Sequence, residues 1–389
     1  MKLKEVCVKI GSGATPRGGK EAYKNEGFSL IRSQNVLDYS FSVDGLAFID
    51  DQQAKLLDGV AVQSGDVLLN ITGDSVARAC IVNDHYLPAR VNQHVAIIRG
   101  NQSQVLQSYL LYYLQMIKPH LLQMASGGAT RNALTKAMIE ELDIPIPPLE
   151  KQSKLVSVLD LIQGKIATNQ QINDNLLQQA QSIFSREFLS LDRIPDGWRE
   201  SSLLGIADYL NGLAMQKYRP IGDEQGLPVL KIKELRQGSC DSGSEMCSPS
   251  IKPEYIVHDG DVIFSWSGSL LVDFWCGGIC GLNQHLFKVT SSAYDKWFYY
   301  SWTNHHLQRF VAIAADKATT MGHIKREELA KAEVLIPSQS DYERIGGLLA
   351  PIYDLVIANR IENRKLAALR DELLPQLMSG EIDVSEVSL

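Results

Sequence analysis

"RVNQHVAIIRG" occupies Arg90–Gly100 and "GLNQHLFKVT" occupies Gly281–Thr290. The tripeptide Asn-Gln-His stands in both, each time directly before an apolar run. Such a recurrence is a sign of internal duplication, which has to be sought before any other feature because missing it misassigns the whole fold. Other matches follow in the same order. "SGDVLLNITGD" (64–74) pairs with "DGDVIFSWSGS" (259–269), and "ASGGATRNALTKAMIEELDIPIP" (125–147) pairs with "AADKATTMGHIKREELAKAEVLIP" (314–337). Several weak matches in one shared order, at an offset near 190, make the chain a tandem repeat.

Each half then passes a proline stop, "PIPPLEKQ" or "IPSQSDYE", and enters a long helical pattern. Apolar or seam residues step by four and three through Leu155, Leu159, Ile162, Ile166, Asn169, Asn173, Leu176, Ala180 and Ile183, which is a heptad seam. Adding 190 gives Ile345, Leu349, Ile352, Val356, Asn359, Asn363, Leu366, Arg370 and Leu373. Arg370 breaks the pattern, and Leu369 is expected to take its place. Four asparagines, Asn169, Asn173, Asn359 and Asn363, fall at matching seam positions. They are expected to meet in one layer and fix the register of the two helices. The first helix, from Glu150 to about Glu187, would be about 57 Å long, too long to bury its seam in one small domain.

Before each helix lies a mixed region. "VAIIR", "DVLLNI", "LPVLKIK", "DVIFSW" and "LFKV" read as short strands, and 107–125 and 294–315 read as amphipathic helices. The expected fold class is α+β: two mixed α/β domains in tandem, separated by two long helices that form an antiparallel coiled coil with pseudo-twofold symmetry. The expected boundaries are 1–149 for the first domain and 150–188 for the central helix. The second domain takes 189–339, and the C-terminal helix and tail take 340–389.

The 389 residues are 45% hydrophobic and 21% charged, a globular composition. No apolar run reaches the 18 residues of a membrane span, and "MKLKEVCVKIGSG" lacks a signal-peptide pattern. Six scattered cysteines suggest a reducing compartment, hence the cytoplasm. The net charge of −7 taken alone argues against a nucleic-acid binder, but the acidity gathers at the end, where 340–389 hold 5 basic and 9 acidic residues.

Enzyme motifs are absent. "GSGATPRGGKE" (11–21) imitates a phosphate loop, but Gly19 intervenes before Lys20 and Glu21 replaces the required hydroxyl residue. It reads as a structural turn. No nucleophile elbow, zinc-protease motif or complete dinucleotide fingerprint occurs. "CDSGSEMC" and "CGGIC" have irregular spacing for zinc and read as buried small hydrophobes. No catalytic and no metal residue is assigned.

Matching loops of the two copies instead hold groups that suit nucleic acid. The first copy offers Arg17, Lys20, Lys24, Arg32, Gln34, Asn35, Thr72, Arg78, Arg90, Asn92, Gln93, Thr130, Arg131 and Asn132. The second offers Lys217, Arg219, Lys231, Lys233, Arg236, Trp266, Ser267, Asn283, Gln284, Thr319, Thr320, His323, Lys325 and Arg326. Arg and Lys suit phosphates and guanine edges, and Asn and Gln suit adenine. A single such residue usually belongs to a solvated loop, so the weight lies in their clustering.

With "GATPRGG", "GDVLLNITGD", "FSWSGS", "GLNQHLFKV", "TTMGHIKREEL" and "NRKLAALRDELLPQLMSGEI", the plan resembles the specificity subunit of type I restriction–modification enzymes over essentially the whole chain. The resemblance implies that each mixed domain is a target-recognition domain reading one half of a bipartite, asymmetric site in double-stranded DNA. It implies that the helices set the spacing and dock two modification subunits, with restriction subunits joining where present and no membrane involved. S-adenosylmethionine, ATP and Mg are then needed only by the partners, and this chain is non-catalytic with no cofactor. A methylation-only or orphan system is the alternative, and a scaffold without a DNA role is a further one. A self-sufficient methyltransferase is disfavoured because no Asn-Pro-Pro-Tyr type motif occurs.

The shared tripeptide cannot distinguish two different half-sites. Asn92–His94 and Asn283–His285 are therefore expected to serve scaffold hydrogen bonding or the DNA backbone. The reading residues are expected where the copies diverge: 13–35 against 211–236, 70–91 against 264–282, and 126–136 against 316–326.

Overall fold

A strand shows alternate side chains to opposite faces, so a continuous apolar run marks a strand covered on both. In the computed structural model, which describes residues 1–127, 132–316 and 324–384, "DVLLNI" and "VAII" do this. Val67, Leu69, Ala96 and Ile98 enter one core with the helices, while Leu68, Val95 and Ile97 enter another with a second sheet. "DVIFSW" and "LFKV" repeat the division: Val262, Phe264, Phe287 and Val289 face helices, and Ile263 and Leu286 face the second sheet.

The chain forms two compact units, one of residues 1–164 with 367–389, the other of 165–366. Each takes part of both long helices. The helices expected at 150–188 and 340–389 are thus each divided between the two units.

The first unit contains α1 (Leu3–Val6), β1 (Cys7–Ser12), β2 (Phe28–Ile31), β3 (Ala47–Ile49) and α2 (Asp51–Leu56). There follow β4 (Ala61–Val62), β5 (Val67–Asn70), β6 (Ala79–Ile81), β7 (Ala89–Val91) and β8 (Val95–Gly100). Then come α3 (Gln107–Met116), α4 (Lys118–Ser126), α5 (Lys136–Glu140) and the start of α6 (Leu149–Phe184). One sheet has the order β1-β8-β5-β6 and is antiparallel throughout; the other has the order β3-β2-β7-β4 with one parallel pair, β2/β7.

The second unit repeats this. It opens with β9 (Arg199–Ser202), α7 (Leu203–Ile206), β10 (Asp208–Asn211), β11 (Leu227–Leu230), α8 (Ile232–Gln237) and β12 (Met246–Cys247). It continues through β13 (Ile256–Val257), β14 (Val262–Ser265), β15 (Leu271–Phe274), β16 (Cys280–Leu282) and β17 (Leu286–Thr290). Helices α9 (Lys296–His305), α10 (Leu307–Asp316) and α11 (Arg326–Ala330), strand β18 (Glu333–Ile336) and α12 (Gln339–Ser379) complete the order. The antiparallel sheet is β10-β17-β14-β15. The mixed sheet is β12-β11-β16-β13, again with one parallel pair, β11/β16. Short β9 pairs with β18, leading into α12.

The segments 107–125 and 294–315 are each two helices, divided at Ile117 and His306. Pro119 supplies the reason in the first copy, because it suits a helix start and not an interior. Neither α3 nor α9 is amphipathic in the expected sense. Tyr109 through Gln115 and Trp297 through Thr303 are buried without interruption. These helices lie between a sheet and the long helices, so every face is covered. Likewise "LPVLKIK" is a strand only to Leu230, after which α8 begins.

Within the second unit the seam asparagines form two rungs, not one layer. Asn169 Nδ2 donates to Asn363 Oδ1 at 2.8 Å, and Asn359 Nδ2 donates to Asn173 Oδ1 at 2.9 Å. The crossed numbering makes the helices antiparallel there. Asn363 and Asn173 use their remaining donors on the carbonyls of Ile166 and Val356. A shift of either helix breaks both rungs and strands buried amides, which is how polar seam residues fix register. Asn173→Leu alone leaves Asn359 buried without its acceptor and should cost about 1–3 kcal/mol. Adding Asn359→Leu should recover most of that. Thermal unfolding of both single variants and the double variant checks it; additive losses would contradict it.

At Arg370 the structure corrects the seam. Leu369 is 44% exposed and does not take over, whereas Arg370 is itself buried. Within the first unit its guanidinium lies 3.7 Å from the centre of the Tyr39 ring and donates to Gln163 Oε1 at 2.8 Å. A flat cation on an aromatic face, with its stem in apolar surroundings, fills a seam position that leucine would otherwise hold. The α-helix also ends earlier than expected: at Phe184 it gives way to a wider turn over Ser185–Leu189.

Candidate nucleic-acid interface

Asparagine, glutamine and histidine each have a separate task at the turn between β7 and β8. Asn92 N–H donates to the Ile31 carbonyl at 3.0 Å, ending the parallel pair, and its Oδ1 accepts from His94 N–H at 3.1 Å. An Asn side chain closing a turn on the backbone two residues ahead is a local device that only a short polar side chain provides. Asn283 repeats both bonds with Leu230 and His285, at 3.1 and 3.3 Å. The His94 ring meets the Thr72 hydroxyl through Nδ1 at 2.6 Å and the Gln93 amide nitrogen through Nε2 at 2.9 Å. In the second copy His285 makes the same two contacts, with Ser267 and Gln284.

Three loops fasten to this turn. The first enters at Gly13, whose N–H donates to the Val95 carbonyl at 2.9 Å. A Cβ there would lie 2.0 Å from the Val91 carbonyl oxygen, so no other residue fits. Gly212 stands in the same constraint against Asn283 and Leu282. Thr15 then donates its hydroxyl to the Gln93 carbonyl. The second loop follows β5: Ile71 N–H donates to the His94 carbonyl at 3.0 Å. The third is joined through Leu134 N–H to the Ile71 carbonyl at 2.8 Å and, in the other copy, Ile324 N–H to the Trp266 carbonyl at 2.9 Å. "GSGATPRGGKE" is thus a loop packed on the tripeptide.

The structure separates the candidate residues. Arg90 is buried beneath its own domain: it donates to the Ala54 and Ala89 carbonyls and to Asp58, and lies over the Phe28 ring. Gly281 holds its register place in the second copy. Asn35 is fully buried and ties its loop to the Ser42 and Asp44 carbonyls. Asn92 and Asn283 are also buried. All four are buried and hydrogen-bonded within their own domains.

Others are exposed or, like Arg32 and Lys231, half-buried, and already paired. Lys24 bonds the Glu21 carbonyl and approaches Asp50. Arg32 bonds the Gly45 carbonyl, and Gln34 the Asp44 carbonyl. Lys231 and Arg219 share Glu245 at 2.6 and 3.7 Å, and Lys233 holds Asp241 at 3.1 Å. The lysines keep both carboxyls below the usual carboxylate range. Arg17, Lys20, Lys217, Arg236, Lys325 and Arg326 are exposed and carry no ion pair among the described residues, and half-buried Arg78 carries none either. Thr72, Gln93, Ser267 and Gln284 belong to the histidine contacts. Trp266 lies tilted against the His285 and Phe287 rings and donates its indole N–H to Asn211 at 3.0 Å. Asn132 is exposed, with its carbonyl accepting from Gly73. Thr130, Arg131, Thr319, Thr320 and His323 lie outside the described residues.

The sequence marks Thr72 and Ser267 as nucleic-acid candidates, but their pairing with His94 and His285 was not foreseen. The signal was present: Thr72 and Ser267 follow the matching strands β5 and β14 by the same two residues.

Residues 1–178 match the family model of the type I restriction modification DNA specificity domain. That span ends within α6, so the second copy enters through the internal repeat. The type I restriction enzyme MjaIX specificity subunit of Methanocaldococcus jannaschii is 25% identical over 307 residues, covering 72% of this chain and 70% of that one. A putative MjaX specificity subunit of the same organism is 21% identical over 415 residues, covering 98% and 93%. The crystal structure of a type I restriction–modification S subunit from M. genitalium shares the fold, with a TM-score of 0.52 and 12% identity over 97% of this chain and 95% of that one.

Proposed function

We infer that this chain, which belongs to the family of type I restriction–modification specificity subunits, reads a bipartite asymmetric DNA site, one half with each mixed domain. One observation carries the reading: the same histidine-centred turn in both copies holds loops whose sequences differ between the copies. A shared frame with divergent loops is what two readers of different half-sites require. The unpaired cations Arg17, Lys20, Lys217, Arg236, Lys325 and Arg326 sit on or beside those loops, where they would meet phosphates.

The long helices set the gap between half-sites and dock two modification subunits. At 1.5 Å per residue α6 and α12 would be about 54 and 61 Å long, more than one DNA turn of roughly 34 Å, so several base pairs go unread. This chain performs no chemistry. Adenine methylation with S-adenosylmethionine belongs to the modification subunits, and ATP- and Mg-dependent translocation and cleavage to restriction subunits where these are present. The complex acts in the cytoplasm; among the described residues no helix is long and apolar enough to cross a membrane.

Filter binding of the purified chain, with and without a methyltransferase partner, tests the reading. Retention of duplex DNA that rises with the partner supports it, and no retention in either case identifies a scaffold without a DNA role. Asn92→Ala combined with Gln93→Ala removes the Asx turn and the Gln–His contact. It should cost about 1–3 kcal/mol of stability and weaken binding while leaving the half-site unchanged. Thermal unfolding and a binding-site selection check this; relaxed base choice at intact affinity would overturn it.

A further inference from the structure

Arg360 and Arg364 stand one turn apart on one face of α12 and grip the second recognition domain. Arg364 forks onto Asp259 with two bonds of 2.8 Å and gives a third, at 2.7 Å, to the Cys276 carbonyl. Arg360 donates to Asp273 Oδ1 at 2.6 Å and to the Phe274 carbonyl at 3.3 Å. Asp259 Oδ1 also accepts from Gly278 N–H at 2.8 Å, and the Trp275 indole N–H donates to the Gly278 carbonyl. The carboxylates are only about a quarter exposed, at 26% and 28%, so solvent screens these pairs less than it would on an open surface. The fork from Arg364 holds the Asp259 carboxyl below the usual range.

The gripped arch is short and leads straight to the reading turn. From Gly278 the chain enters β16 at Cys280 and reaches Asn283 directly after that strand ends. A rigid strand therefore links the helix clamp to the turn that carries the loops. The first copy has none of the four residues. By register Ser64 stands for Asp259 and Cys80 for Asp273, and 190 residues before the arginines α6 has Gln170 and Asp174. Both arginines and both carboxylates occur together in one copy and are all missing from the other, as expected of a coupled device and not of scattered surface charge.

We propose that Arg360 and Arg364 are positioning residues that fix the angle of the second recognition domain on its helix, and thereby the strictness of the gap between half-sites. The inference rests on the bipartite reading. It is tested by selecting binding sites from a random duplex library with the full chain and its modification subunits. The wild type should return two half-sites at one gap. Arg360→Ala with Arg364→Ala should return the same half-sites, with gaps one base pair longer or shorter enriched about tenfold. Arg364→Lys, which keeps the charge but loses the fork, and Asp259→Asn, which keeps the acceptor for Gly278, should move the same way by smaller factors. They serve where the double variant fails to fold. A single gap retained in all folded variants, or altered bases in the second half-site, overturns the inference. A wild-type selection without any two-part motif overturns the bipartite reading and the inference with it, a result distinct from the other two.

Discussion

Adding one heptad to each long helix should lengthen the gap between half-sites by about three base pairs and leave both half-sites unchanged. Seven residues at 1.5 Å add about 10 Å, and stacked base pairs advance by about 3.4 Å. Seven is the right number because it preserves the seam, so the rungs Asn169–Asn363 and Asn173–Asn359 keep their partners. Four residues would rotate the seam and strand buried amides, confusing a change of gap with a loss of fold. Sites selected from random duplexes give gap and bases together. A changed half-site at an unchanged gap contradicts the spacer role of the helices.

The second large effect concerns the cations without partners. Lys217→Ala with Arg236→Ala should lower affinity by about tenfold or more at low salt and reduce the slope of log affinity against log salt by about two, one for each phosphate no longer neutralised. Lys231→Ala with Lys233→Ala should do much less to the slope. Those lysines already neutralise Glu245 and Asp241, so a phosphate would have to displace a carboxylate. The binding isotherms are measured over a range of salt for both pairs. The reverse order, with the paired lysines dominating the slope, would show that the ion pairs open on DNA and that the division of residues made from their geometry is wrong.

Much of the architecture was legible in the sequence because the repeat says the same thing twice. The strands around Asn-Gln-His, the proline stops and the heptad seam are local patterns, and each copy supports the other. Pairing between strands is non-local, so the parallel contact of β2 with β7 and of β11 with β16 left no pattern to read. Arg90 shows where composition misleads. Beside Asn92 and Gln93 it resembles a nucleic-acid residue, yet it points under the sheet, and Gly281 at the same register place was the warning. Arg370 misled in the opposite direction: a charge in a seam looked like a defect, and only the fold brings Tyr39 beneath it. The clamp of Arg360 and Arg364 was hidden because its carboxylates lie about 90 and 100 residues away. Repeat comparison alone could have raised it, since all four residues are missing from the first copy. The divergence of the copies is also wider than the sequence windows allowed. The offset between copies is 199 at Ile31/Leu230 and 195 at Val67/Val262, so the second copy is shorter between β11 and β14, a stretch that includes the position matching α2.

On the function proposed above, this chain chooses where a partner methylates DNA, through two half-sites at a fixed gap. Genome-wide mapping of methylated adenines in cells with and without the gene tests it most directly. Deletion should abolish methylation at one bipartite, asymmetric motif with several unread base pairs between its halves. An unchanged methylation map, or the loss of a single uninterrupted motif, would contradict it.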